Sequence, residues 1–317
     1  MVQKIRLLCL IVISFLVGCT ESELPILRVG TNIWPGYEPL YLARQQGYLK
    51  EDKVQLVELS SASQVIQAFR NGVIDAAALT LDEVLLLLES GEDVEIILVM
   101  DVSHGADSIV GQSELAGLEE LSGKRIGVEN NALGAYIVSR ALEISNINRQ
   151  SVYIVPLEIH EQETSFLQEK LDAVVTFEPV LSRLVNSGGR ILFDSRQIPN
   201  EIVDVLIVKR EFLGRYSERV EYLRNAWFKA LAYKDKQPRE AAKVLGVRMK
   251  LDVTETLATY EGLRLPDNKE NQQLLYGNPE PGLLSTANKL NQVMVDQGLI
   301  SSTVNPSLLF SNIMDKD

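Results

Sequence analysis

From residue 27 onward, short apolar runs alternate with stretches of helical composition, and this rhythm constrains the fold more than any other feature of the chain. Candidate strands fall at residues 27–31, 54–59, 74–79, 94–100, 125–128, 152–155, 173–176, 190–193 and 203–208. Between them, 39–46, 62–70, 82–89, 133–144, 163–169 and 179–186 have the length and composition of helices. Strand–helix alternation predicts an α/β protein of parallel-rich sheets with helices on both faces. The strand signal ends near Glu211. Tyr216, Val220, Leu223, Trp227 and Leu231 then form one apolar stripe at helical spacing, with Trp227 expected in the core. Further helices are expected near 238–245, 253–260 and 283–296, making the C-terminal segment helical.

The alternation also suggests two lobes. Extended segments near 108–111 and 202–207 bracket a compact α/β block, as if it were inserted into a first α/β domain. The expected division is lobe 1 at 27–107 and 205–317, and lobe 2 at 108–204, joined by a two-strand hinge. In such an arrangement a ligand binds at the carboxyl ends of the strands, in the crevice between the lobes.

The first residues read as an address. Lys4 and Arg6 precede an apolar run from Leu7 to Val17 that rises only ~16 Å as a helix, about half the hydrocarbon thickness of a bilayer. A basic start before a short apolar run is the pattern of a cleaved export signal. Leu16-Val17-Gly18-Cys19 resembles the bacterial lipobox, which implies a signal peptide at 1–18, acylation of Cys19 and a tether over 19–26. Acyl chains add ~0.8 kcal/mol per buried CH₂, and stable anchoring takes more than one chain, which a lipoprotein has. The expected product is an exported protein held on a bilayer, on the periplasmic or cell-surface side. Processing at Cys19 also removes Cys9, leaving no free thiol for cysteine-based catalysis.

Composition removes several function classes. With 31 Lys+Arg against 43 Asp+Glu the chain carries −12, the wrong sign for a nucleic-acid binder. The two cysteines cannot build a disulfide framework, and His104 and His160 match no zinc spacing, so no metal and no cofactor are expected. The glycines before Lys124 have the wrong spacing for a phosphate loop, and Arg125 stands where that motif needs Ser or Thr. A G-x-S-x-G elbow and a dinucleotide fingerprint are both missing, and nothing nominates a nucleophile with its base, so no catalytic residue is assigned.

The richest segment is Gly30-Thr31-Asn32-Ile33-Trp34-Pro35-Gly36-Tyr37-Glu38-Pro39. It follows the first strand, where an α/β protein places its binding loop. Pro35 and Gly36 mark a turn that holds Trp34 and Tyr37 either against the core or as a ligand wall. Pro39 suits the first turn of the next helix. This segment resembles the start of the nitrate, sulfonate, taurine and thiamine-precursor class of periplasmic solute-binding proteins, the capture subunits of ABC importers. Gly72-Val73-Ile74-Asp75-Ala76-Ala77-Ala78-Leu79-Thr80, Asp101 to Asp107, Leu121 to Val128 and Leu171 to Pro179 continue the resemblance in order.

The resemblance implies a bilobed, type II periplasmic-binding-protein fold that closes about its hinge on a small solute and is then read by permease subunits in the membrane, acting as a monomer. It places the solute against Trp34, Tyr37, Thr80, Asp82, Ser103, His104, Asp107, Asn131, Gly134, Phe177, Glu178 and Asp204. Local chemistry adds alternatives. Asn131 to Ala135 opens a helix whose N–H groups favour an anion. Thr80 is either a simple helix cap or a cleft residue. Asp82 and Asp101 either join the cleft or face water, His104 reads as an exposed hinge residue or a ligand partner, and His160 as a solvated loop. Because the candidate cleft residues include acids but neither Lys nor Arg, a taurine-like zwitterion is favoured, its ammonium on Asp204 and its acid at the helix starts. The alternative is that the same body reports its ligand to a membrane kinase or cyclase. A thiamine-pyrimidine synthase shares its outline but relies on cysteine and histidine chemistry that this sequence lacks.

Overall fold

The computed structural model describes residues 24–277 and 282–310. The signal 1–18, Cys9, the acylation candidate Cys19 and most of the tether lie outside the described residues.

Two sheets carry the chain. In the first, β1 (Leu27–Thr31) pairs in parallel with β2 (Val54–Glu58) and β3 (Ala76–Thr80). The segments between them form α1 (Glu38–Gln45) and α2 (Ala62–Arg70), and Pro39 falls in the first turn of α1. α3 (Leu81–Glu89) leads to β4 (Val94–Ser103), ten buried residues and longer than the apolar run alone indicates. The extra residues, Asp101-Val102-Ser103, carry β4 on toward the second sheet.

The second sheet opens with β5 (Asp107–Gly111). There β6 (Arg125–Val128) lies parallel to β7 (Tyr153–Pro156) and β8 (Ala173–Phe177), while β5 lies antiparallel between β8 and β9 (Arg190–Asp194). Its helices are α4 (Ala132–Ile144), α5 (Ile159–Leu167) and α6 (Val180–Asn186). The chain then returns as β10 (Val203–Lys209), which inserts antiparallel between β3 and β4 of the first sheet. Both sheets are therefore mixed rather than simply parallel. The reason is topological: β5 and β10 arrive from the opposite sheet, so each enters against the local strand direction.

The two crossings are fastened to each other. Ser195 Oγ lies 2.8 Å from Ser103 Oγ and accepts from the Gly105 N–H at 2.6 Å. The Ser103 N–H donates to the Ile202 carbonyl at 3.0 Å. Gly105 has φ +116°, a conformation that costs a residue with a Cβ and is open to glycine.

The C-terminal part is helical apart from one short strand. α7 (Arg210–Lys236) buries Val220, Leu223, Trp227 and Leu231 against the first sheet, with Trp227 fully inside. α8 (Pro238–Met249) and α9 (Val253–Thr259) follow. The strand β11 (Leu263–Arg264) and helix α10 (Asn268–Tyr276) were not expected from the sequence. Both cover the edge of β4: β11 pairs with it, and the Asn271 amide accepts from the Val99 N–H at 2.7 Å and donates to the Val99 carbonyl at 3.1 Å. A residue chosen to satisfy a strand edge leaves no periodic signal in sequence. α11 (Leu283–Asp296) completes this lobe and reaches the second one, where Lys289 Nζ meets Glu201 at 2.8 Å.

Candidate functional site

The carboxyl ends of β1 and β3 and the start of β10 meet at one point. The antiparallel register sets Asp204 opposite Thr80 on one side and opposite Asp101 on the other. The turn after β1 lies over these acids. Trp34 Nε1 donates to Asp101 Oδ2 at 3.0 Å, and the Tyr37 hydroxyl donates to Asp204 Oδ1. Gly36 makes this approach feasible, because a Cβ there would fall 1.7 Å from Asp101 Oδ2. The rings of Trp34 and Tyr37 thus do both things open to them: they are buried, and they wall a cleft.

The second sheet supplies the opposite wall. Asp107 opens β5 in register with Phe177 at the end of β8. The Phe177 ring meets Trp34 edge-on across the lobes, with centroids 5.7 Å apart. Glu129 follows β6, and Asn131 caps α4 by accepting from the Gly134 N–H at 2.9 Å. Between the walls is a narrow, nearly closed cleft with an internal volume of about 20 Å³.

Of the residues singled out in sequence, Trp34, Tyr37, Thr80, Asp107, Asn131, Phe177 and Asp204 line this cleft. Others sit elsewhere. The Ser103 hydroxyl lies 2.8 Å from Ser195 Oγ in the hinge and also reaches the Asp107 carboxyl behind the cleft, and His104 is exposed, its N–H on the Gly262 carbonyl at 2.8 Å. Gly134 lies behind the wall, where a Cβ would come 2.7 Å from Val128, so its role is close packing of helix on strand. Glu178 turns to α6 and accepts from Ser182 Oγ at 2.8 Å. Asp82 and Asp101 do not face water: both are buried beside the cleft. His160 belongs to the first turn of α5 rather than a loop, exposed as expected.

Sequence reasoning overlooked Asn32, Ala62, Glu83 and Glu129, which also line the cleft, as does Leu133 of the 131–135 helix start. Two of these had a signal. Glu83 is the third residue of the helix capped at Thr80, and its carboxylate accepts from the Thr80 N–H at 3.1 Å. Glu129 directly follows a parallel strand, where ligand residues concentrate.

The electrostatics are one-sided. Asp82, Glu83, Asp101, Asp107, Glu129, Glu178 and Asp204 are all buried, and among the described residues no Lys, Arg or His lines the cleft. Burial pushes Asp107 and Glu129 up to about 7. It also raises Asp82, Glu83, Asp101 and Glu178, and holds Asp204 well above the usual carboxylate range, where the charge of Asp101 adds to the shift. Beyond Asn32 and Phe177 the cleft opens into a wider mouth where cations do appear. There Arg183 is paired with Glu163 at 2.7 Å, and Arg248 with Glu38 at 2.6 Å and Glu58 at 3.0 Å, while Lys250 is exposed.

Comparison with known proteins bears on the family and the fold. A model of the NMT1-like family matches residues 20–247. The taurine-binding periplasmic protein of Escherichia coli K12 is 21% identical over 190 residues, 58% of this chain and 59% of that protein, so the match spans well under two thirds of the relative. The alkanesulfonate-binding protein SsuA of Xanthomonas axonopodis pv. citri, bound to MOPS, superposes with a TM-score of 0.76 at 17% identity, covering 90% of this chain and 98% of that one. The periplasmic nitrate-binding protein NrtA of Synechocystis PCC 6803 gives 0.69 at 12% identity, covering 89% and 84%. With the two mixed sheets and their double crossing, these likenesses identify the fold as the bilobed, type II periplasmic-binding-protein fold.

Proposed function

The chain belongs to the NMT1-like family, and from that premise we propose that it is an extracytoplasmic solute-binding protein that delivers a small polar organic solute to an ABC permease. The lobes, 27–107 with 205–317 and 108–204, close about the two crossing strands. The protein works without catalysis, as a monomer, anchored to the bilayer through acylated Cys19 on the periplasmic or cell-surface side.

One observation carries the reading. Buried acceptor atoms carried by both sheets line the cleft without partners among the described residues: Asp204 and Glu83 on the side of the first sheet, Asp107 and Glu129 on the side of the second. Buried acceptors left unpaired cost on the order of 1–3 kcal/mol each, so an empty closed cleft is unfavourable. A solute bearing a protonated amine, the taurine-like ammonium expected on Asp204 included, satisfies acids of both lobes at once and favours the closed form. That differential is what a hinge-closing binder needs. The Trp34–Phe177 contact then shuts the cleft toward its mouth.

A thermal-shift panel of amines, amino acids, taurine, alkyl sulfonates, nitrate and aminopyrimidines tests the proposal. A solute at 100 times its Kd adds ~2.7 kcal/mol and raises the melting temperature by several degrees. A protein that responds to none of these classes is not a binder of this kind. The anchor is tested separately: a radiolabelled fatty acid should enter the wild type and not Cys19→Ser, and equal labelling of both discards it.

A further inference from the structure

We propose that the solute is a compact organic dication, two protonated N–H groups joined by a short apolar spacer and lacking an acid group. This rests on the solute-binding reading and names its substrate class.

The cleft is a set of acceptors waiting for donors. Asn32 Oδ1, Glu83 Oε1, Asp107 Oδ2, Glu129 Oε1 and Asp204 Oδ2 line it, all on buried side chains and without partners among the described residues. Asn32 is independent of the acidic group, and its amide oxygen also points to a ligand that donates. A cationic ligand draws these carboxyls into their ionised form, in which they only accept, and it brings the N–H groups they then need. Asp204 and Asp101 stand side by side in strand register, each held by a ring of the β1–α1 turn. Glu83 at the start of α3 feels the charge of Glu129, and Asp204 that of Glu83 and Asp107. One ammonium has three N–H donors for five open acceptors, so a second donor group is needed. Trp34, Phe177, Leu133 and Ala62 line the same cleft and offer apolar surface for a spacer, with ring faces that also favour cations.

An acid group on the solute finds nothing. The N-terminus of α3 already holds Asp82 and Glu83, and that of α4 is capped by Asn131 beside Glu129. Arg183 and Arg248 at the mouth are each engaged by glutamates, and among the described residues lining it only the exposed Lys250 adds a further cation. A metal ion is the less suitable occupant, since among the described residues no three His, Cys, Asp or Glu side chains are arranged to hold one.

Titration calorimetry of the full-length protein at pH 7.5 decides this, with 1,4-diaminobutane, 1,5-diaminopentane, butylamine, taurine and ethanesulfonate as probes. The expected result is saturable binding of a diamine, butylamine at least tenfold weaker, and no heat from taurine or ethanesulfonate. Asp204→Asn and Glu83→Gln should each weaken the diamine at least tenfold while melting as cooperatively as the wild type. Taurine or ethanesulfonate binding tighter than both diamines overturns the dication and leaves solute capture standing. Butylamine binding as well as the diamines, or silence from both diamines, also overturns it. Silence across the wider panel removes the binding reading too.

Discussion

Asp204 and Asp101 face each other in register across β10 and β4, two buried carboxyls side by side, one bonded to Tyr37 and the other to Trp34. Neighbouring like charges without a cation are costly in a low-dielectric site, so the pair must share protons or await a positive ligand. Neutralising one of them should therefore help the empty protein and harm capture. Asp204→Asn keeps an acceptor for the Tyr37 hydroxyl and removes the charge. The expected outcome is a melting temperature at pH 8 a few degrees above wild type, with at least tenfold weaker binding of a cationic solute. A lower melting temperature at pH 8 would show that the charge is stabilising and would sink the argument.

The same acids set the pH dependence of the empty protein. Asp107 and Glu129 are raised by burial to about 7, well above their unfolded values near 4. Between those values the native state binds more protons than the unfolded chain, so stability falls as pH rises. Melting curves should show a protein more stable at pH 5 than at pH 8 without solute. A cationic solute should reverse the order and release protons on binding, visible as a binding heat that depends on the ionisation enthalpy of the buffer. Equal melting at both pH values, with no proton release, would mean that the cleft acids titrate normally.

Gly36 tests the turn. A Cβ there meets Asp101 Oδ2 at 1.7 Å and Trp34 Nε1 at 2.5 Å, and neither can withdraw without breaking the bond between them. Gly36→Ala should destabilise by ~1–3 kcal/mol and abolish solute binding. Denaturant unfolding together with calorimetry checks both. Wild-type binding in the variant would free Trp34 from the positioning role argued for it.

On the hinge side, Glu201 accepts from Tyr136 at 2.6 Å, from Arg140 at 2.8 Å and from Lys289 at 2.8 Å, tying α4 of the second lobe to α11 of the first. Glu201→Gln should cost ~1.5–3 kcal/mol, since it weakens charge-assisted bonds at a buried centre. Lys289→Met should cost under ~1 kcal/mol, because the lysine side chain is 62% exposed and its attraction is screened. Burial alone would raise the Glu201 carboxyl, but the bonds from Arg140, Lys289 and Tyr136 overcome it and hold it below its usual value. That stabilisation is complete above the unfolded value and is lost as pH falls through the folded one. Glu201→Gln should therefore lose part of the acid-side decline in stability seen in the wild type. Equal costs for the two variants would contradict the clasp.

Much of the site was legible in sequence because it sits at strand ends. Trp34 and Tyr37 in a turn, Thr80 after a strand and Asn131 before a helix all announce themselves locally. Glu83, third in its helix, and Glu129, one residue past a strand, give only a faint local signal. Ser103, His104 and Gly134 lay in the right segments, but their side chains serve the hinge, the solvent or the packing of α4. Whether Asp82 and Asp101 join the cleft or face water stays open in sequence, because the burial of a helix-start or strand-end acid depends on what packs over it.

What the sequence by itself determined is periodic and local: the alternation of strand and helix, the two-lobed division it suggests, the Trp34–Tyr37 turn and the missing catalytic signatures. The tertiary structure decided the rest. Asp101, Asp107, Asp204, Glu83 and Glu129 come from five segments on two lobes, and their convergence depends on β4 and β10 crossing between sheets in opposite directions. A strand's pattern records which face is buried, but not which distant charge arrives beside it. The sign of the cleft is a sum over such arrivals, and only the folded chain performs it.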